Sequence, residues 1–106
     1  SGGHQQKVSV ATWIAAGIRL LIIDEPSVGI HIKTKAYLHD LIHELAEGGT
    51  AVLLITSDLT EMVDVADRVA VMDDYRLQGS VENDRNYERV STAIMALIHG
   101  NATQVV

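Results

Sequence analysis

A chain of 106 residues, 47% hydrophobic and 21% charged, has the size and composition of one globular domain or a piece of one, and is unlike a disordered polymer. Fourteen acidic against eight basic side chains give a formal charge of -6, the wrong sign for a surface that collects phosphate backbones, so nucleic acid is not an expected partner. With no cysteine there is no disulfide and no thiolate metal site, and the apolar runs fall short of the roughly 20 residues that a spanning helix needs.

The chain starts at Ser1 with no initiator methionine and no basic, apolar leader, which reads as a chain without a signal peptide, cut from something longer. Val8, Val10, Ala11, Ile14 and Ala15 suit a helix over 5–16 that follows Gly2-Gly3 and stops at Gly17. A strand is predicted at Leu20 to Asp24, where four aliphatic residues precede two acids and Pro26. Tyr37, Leu38, Leu41, Ile42 and Leu45 then recur at helical spacing up to Gly48-Gly49, with His39, Asp40, His43, Glu44 and Glu47 expected on a wet opposite face. Ala51 to Thr56 reads as a second apolar strand, and Asp58 with Glu61 forms a D-x-x-E capping box that opens a short helix. A third strand is read at Val69 to Met72, a strand-like stretch at Arg76 to Val81, and a last helix from about Asn86 to His99, with a loose tail over 100–106. Strands alternating with helices predict a parallel sheet built from crossover units.

Asp24 and Glu25 stand at the carboxyl end of their strand, where open α/β sheets bind ligands. Two adjacent carboxylates there can serve a metal and a water; the same tetrapeptide, Ile22 to Glu25, also fits a core strand ending in a solvated acidic turn. Ser1-Gly2-Gly3-His4-Gln5-Gln6-Lys7 is a glycine-bearing loop feeding a helix, a place that suits a phosphate; an amino-terminal Ser-Gly-Gly also fits a cloning scar. His39 and His43, four apart with Glu44 beside them, have a spacing that could chelate zinc, but solvated histidines are the better reading. Trp13 reads as a packing residue rather than an adenine platform.

The order of the motifs decides between these alternatives. An SGG-x-QQK loop, a helix, LLIIDEP, a second helix, and an apolar strand ending Ile55-Thr56-Ser57-Asp58 together resemble the carboxy-terminal part of an ATP-binding-cassette ATPase domain. Within that family SGG is the core of the signature loop, LLIIDEP the Walker B strand, Ser27 to His31 the D-loop and Ile55 to Asp58 the switch segment. HQQKVSVATWIA, LLITSDL, ADRV-x-VM and IMALIHG are most similar to the second cassette of fused ATPases that drive monosaccharide importers, with Thr12 departing from the usual lysine.

The resemblance implies an α/β fold, part of a P-loop NTPase of cassette type, with a mainly parallel sheet flanked by helices and without the half that carries the Walker A loop. Residues 1–99 would be the carboxy-terminal part of a nucleotide-binding domain. It further implies ATP and Mg²⁺ as cofactors of the complete domain, with Asp24 in the metal shell and Glu25 as general base. Ser57 takes the place of the usual switch histidine; Ser1, Gly2, Gly3, Gln5 and His31 would serve nucleotide held across a dimer with a second cassette. The implied setting is the inner face of the cell membrane, peripheral and cytoplasmic, docked on permease subunits and fed indirectly by a periplasmic sugar-binding protein.

Three departures motivate a second reading, a non-hydrolytic cassette acting as a structural or regulatory dimerisation module. Ser57 cannot act as an imidazole does, His31 stands where an aspartate is usual, and no G-x-x-x-x-G-K-[ST] occurs anywhere in the chain. Cassettes of DNA repair share SGG and the acidic strand but fit poorly with the charge of -6. Loss of the phosphate-loop strand is expected to leave an open apolar edge on Leu20 to Asp24 or Ala51 to Thr56, and hence self-association.

Overall fold

The structure, a computed structural model, describes Thr12 and residues 16–98, and the chain divides into two compact units, Ser1–Ser57 and Asp58–Val106. Of the predicted first helix, Thr12 is helical and its carbonyl accepts from the Ala16 N–H at 2.9 Å, with Gly17 at φ +68° marking the stop. The remainder of that helix, Trp13 included, lies outside the described residues, as does the tail.

The first unit is a βαβ unit. Strand β1 (Leu20–Asp24) forms from the aliphatic run, helix α1 (Ile32–Glu47) follows, and strand β2 (Ala51–Ile55) pairs with β1 in parallel from Leu20↔Ala51 to Asp24↔Ile55. The pairing is fixed at its start, where Ala51 N–H donates to Arg19 O at 2.9 Å and Thr50 Oγ1 donates to Ile18 O at 2.8 Å. Alternation sends Leu21, Ile23, Val52 and Leu54 to one half-buried face, where Leu21 packs with Tyr37, Leu41 and Leu45 of α1. Leu20, Ile22, Leu53 and Ile55 occupy the other face and are exposed, Leu20 and Ile22 at 59%.

Helix α1 ends in a Schellman arrangement, as its two glycines predict: Thr50 N–H donates to Leu45 O, Gly49 N–H donates to Ala46 O, and Gly49 sits at φ +102°. One expectation for this helix is corrected. His39 is 9% exposed and belongs to the buried set with Leu38, Leu41, Ile42 and Leu45, and His43 is half-buried, so only Asp40, Glu44 and Glu47 form the wet face. The imidazole is amphipathic, and at i, i+3 from Ile42 it widens the buried stripe instead of opposing it.

The second unit opens on the predicted capping box: Asp58 Oδ1 accepts from Glu61 N–H at 3.2 Å and starts α2 (Leu59–Val65). Strands β3 (Arg68–Asp73) and β4 (Arg76–Glu82) follow and pair antiparallel, apart from the parallel pairing of the first unit. A two-residue connection cannot cross over, and Asp74 and Tyr75, at φ +52° and +60°, make it a hairpin of type I′. Gln78 is the extra residue of a bulge, since Val71 opposes Gly79 while Met72 opposes Leu77. Helix α3 (Tyr87–Ile98) starts where Asn86 Oδ1 accepts from Arg89 N–H at 3.0 Å.

This unit closes a core of its own from Val63, Val69, Val71, Val81, Val90, Ile94 and Leu97. Gly79 permits the close approach of α3 to β4, because a Cβ at that position would lie 3.1 Å from Leu97 Cδ2. Asn83 fastens the end of α2, its Nδ2 lying 2.6 Å from Ala66 O, 2.9 Å from Val63 O and 3.3 Å from Met62 O. Arg85 Nη1 donates to the same Val63 carbonyl at 2.9 Å, so carbonyls that a helix end leaves over are met by side chains from beyond β4.

Candidate functional site

The site is assembled at the carboxyl ends of β1 and β2. Parallel register sets Asp24 opposite Ile55, and the ladder runs one step further, with Glu25 N–H donating to Ile55 O at 2.7 Å. The two acids and the segment Thr56-Ser57 therefore leave the sheet from the same end. Asp24 is exposed on the side that Ile22 also faces, Glu25 is half-buried, Thr56 is half-buried and Ser57 exposed.

Glu25 has φ +47°, a left-handed conformation that costs a side-chain-bearing residue roughly 1–2 kcal/mol. Such strain persists only where surroundings hold it, and here the bond to Ile55 O holds the backbone while Pro26 to Gly29 turn away. No signal in the sequence announces it. The turn is closed loosely by Val28 N–H on Glu25 O and Ile30 N–H on Ser27 O, both at 3.4 Å, and Gly29 takes φ +77°.

His31 ends that turn as the N-cap of α1. Its Nδ1 accepts from Lys33 N–H at 3.2 Å and its carbonyl accepts from Lys35 N–H at 2.9 Å. Histidine is not among the usual capping residues, so this role was not legible from residue type. Ser1, Gly2, Gly3 and Gln5 lie outside the described residues.

The donor set suits a hard, oxygen-seeking cation only in part. Among the described residues no group of three His, Asp or Glu side chains could hold a metal ion, so Asp24 can contribute one ligand of a shell otherwise made by phosphate and water, the habit of Mg²⁺. Glu25, half-buried and backbone-anchored beside it, can accept a proton from a water. No helix among the described residues is long and apolar enough to cross a membrane.

No family model matches the chain. It is 46% identical over 102 residues to a ribose import ATP-binding protein, RbsA 2, of Streptomyces avermitilis, covering 96% of this chain and 20% of that protein. A putative ribose/galactose/methyl galactoside import ATP-binding protein of Agrobacterium fabrum is 46% identical over 101 residues, covering 94% of this chain and 19% of its own length. The arabinose import ATP-binding protein AraG of Ralstonia nicotianae is 50% identical over 82 residues, covering 76% and 16%. The chain thus spans about a fifth of the length of the curated relatives it matches. Among solved structures, the ADP conformation of MJ1267, an ATP-binding cassette of an ABC transporter, superposes with a TM-score of 0.75 at 19% identity, over 94% of this chain and 40% of that one. That likeness concerns the fold.

Proposed function

The chain belongs to the ATP-binding-cassette ATPases as part of one such domain, and from that premise we propose that its parent protein hydrolyses ATP to drive the import of simple sugars. The observation that carries the reading is the end of β1, where Asp24 and Glu25 emerge beside Ile55 with Glu25 held by its backbone in a strained turn. Residues 1–99 form the carboxy-terminal part of the nucleotide-binding domain.

Mg²⁺ bound in the complete domain would supply positive charge against the phosphates of ATP. Asp24 would hold that ion's shell, and Glu25 would take a proton from the attacking water. Ser57, at the end of β2, offers a hydroxyl as donor or acceptor and cannot carry the charge of an imidazolium. Ser1, Gly2, Gly3 and Gln5, with the His31 loop, serve nucleotide held by a second cassette. The parent works at the cytoplasmic face of the membrane on permease subunits, with a sugar-binding protein supplying them from outside. The exposed apolar face of Leu20, Ile22, Leu53 and Ile55, on a described sheet of two strands, supports self-association of the 106 residues when they stand alone.

A second reading, a non-hydrolytic cassette that serves dimerisation, is favoured by His31, whose Nδ1 is engaged within its own helix by Lys33 N–H. ATP turnover of the complete cassette with Glu25 and with Glu25→Gln separates the two. Loss of about 10²-fold or more supports the base role, and unchanged turnover removes Glu25 from it. The 106 residues alone contain no phosphate loop, and calorimetric titration with ATP and Mg²⁺ is expected to give no binding heat.

A further inference from the structure

We propose that Asn83 and Arg85 are positioning residues for Ser57: they clasp the far end of helix α2, and the cap of that helix is the residue bonded to Ser57. The inference rests on the reading of Ser57 as a site residue. Ser57 is exposed and is the last residue of the first unit, and Asp58, the next, is bound into α2 twice. Its Oδ1 accepts from Glu61 N–H at 3.2 Å and its carbonyl accepts from Met62 N–H at 3.1 Å. A shift of α2 therefore carries the backbone of Asp58 with it, and through one peptide bond that of Ser57.

A helix of seven residues does not hold itself. Isolated helices need roughly 12–15 residues to persist in water, so the place of α2 depends on what grips it. Val63 anchors one side in the core, and side chains grip both ends. At the carboxyl end Asn83 Nδ2 lies 2.6 Å from Ala66 O, and Arg85 Nη1 donates to Val63 O at 2.9 Å, a cation at the negative end of the helix dipole. The clasp is itself tied down: Asn83 N–H donates to Asp67 O at 3.1 Å, and Asn83 Oδ1 accepts from Arg85 N–H at 3.0 Å.

This clasp also carries strain. Arg85 stands at φ +69°, a left-handed conformation that a residue with a side chain keeps only where its surroundings hold it. Glycine would make the same turn without strain and would lack the guanidinium that reaches Val63 O. A strained arginine at this position exchanges ease of turning for a grip on α2, and the residue at the other end of α2 adjoins the site.

The test is ATP turnover of the complete cassette with Asn83→Ala, Arg85→Gly and the two together, each in the presence of Ser57 and of Ser57→Ala. Arg85→Gly relieves the left-handed turn as it removes the guanidinium, so its urea midpoint is expected to stay near that of the unaltered protein. The double variant is expected to lower kcat about tenfold at unchanged KM for ATP, and to lower it no further once Ser57→Ala is present, because residues that act through one group are not additive. Leu97→Ala, which loosens the same unit where α3 meets Gly79, is expected to lower the urea midpoint and leave kcat alone. A kcat lowered by Ser57→Ala but not by the double variant would overturn the proposal by itself, as would an equal loss with and without Ser57. Turnover unchanged in Ser57→Ala would remove Ser57 from the reaction, and the role of the clasp with it.

Discussion

The two units handle their apolar residues in opposite ways. The second unit encloses its own: Val90, Ile94 and Leu97 of α3 pack on Val69, Val71 and Val81 of the hairpin, and all are buried. The first unit encloses one sheet face under α1 and leaves Leu20, Ile22, Leu53 and Ile55 exposed on the other. Among the described residues, the unit that bears the candidate acids is thus the one whose sheet is covered on one side only, whereas the hairpin unit carries no proposed catalytic group. Strain differs too: the left-handed Glu25 directly follows β1, beside the candidate acid Asp24, while the left-handed Tyr75 tips a hairpin and is 99% exposed.

Core truncation is the largest lever on that contrast. Ile94→Ala, at a position 2% exposed, is expected to cost about 2–5 kcal/mol in urea unfolding, whereas Ile22→Ser should change stability by less than about 0.5 kcal/mol and lower the apparent mass in light scattering. Equal costs would erase the distinction between the units. Asn83→Ala comes next, at about 1–3 kcal/mol, because the Ala66 carbonyl at the end of α2 loses the Asn83 donor, while Val63 O keeps Arg85 and Met62 O keeps Ala66 N–H; exchange of the α2 amides reads it locally. Tyr75→Gly is expected to stabilise the hairpin by about 1 kcal/mol with no effect on turnover of the complete cassette, since the side chain is 99% exposed here and stands at φ +60° in the turn. Glu25→Gly should bring a similar gain in stability and abolish turnover, which separates strain retained for chemistry from strain without a use.

The smallest effect concerns Asp84. The Asn86 backbone N–H bonded to its carboxylate, and then the Arg89 guanidinium paired with it, hold this exposed group below the ordinary aspartate range. A lowered carboxylate contributes stability that is present above its unfolded value and lost as pH falls through the folded one. Asp84→Asn is therefore expected to change the urea midpoint slightly at neutral pH and progressively less as pH falls through the folded-state value, with salt reducing the difference.

Local chemistry made much of the fold legible. Leu20 to Asp24 is a strand because four aliphatic residues in a row suit a sheet strand and Pro26 cannot continue one; Asp58 with Glu61 starts a helix because a carboxylate three residues before an orphan N–H satisfies it. Both depend on neighbours in sequence, and the order of the SGG, IIDEP and ITSD segments made the family legible in the same way. His39 was misjudged because residue type gives polarity but not the width of a buried stripe, and the antiparallel sense of β3 and β4 rests on Asp74 and Tyr75 both adopting positive φ.

Sequence alone determined the strands, the Asp58 cap and the candidate acids Asp24 and Glu25, because each follows from bonds and spacings within a few residues. Tertiary structure decided the parallel register that brings Ile55 O to Glu25 N–H, and the left-handed turn this bond holds. Those depend on which strand lies beside which and on a backbone angle that no side chain dictates, so they exist only once the chain has folded.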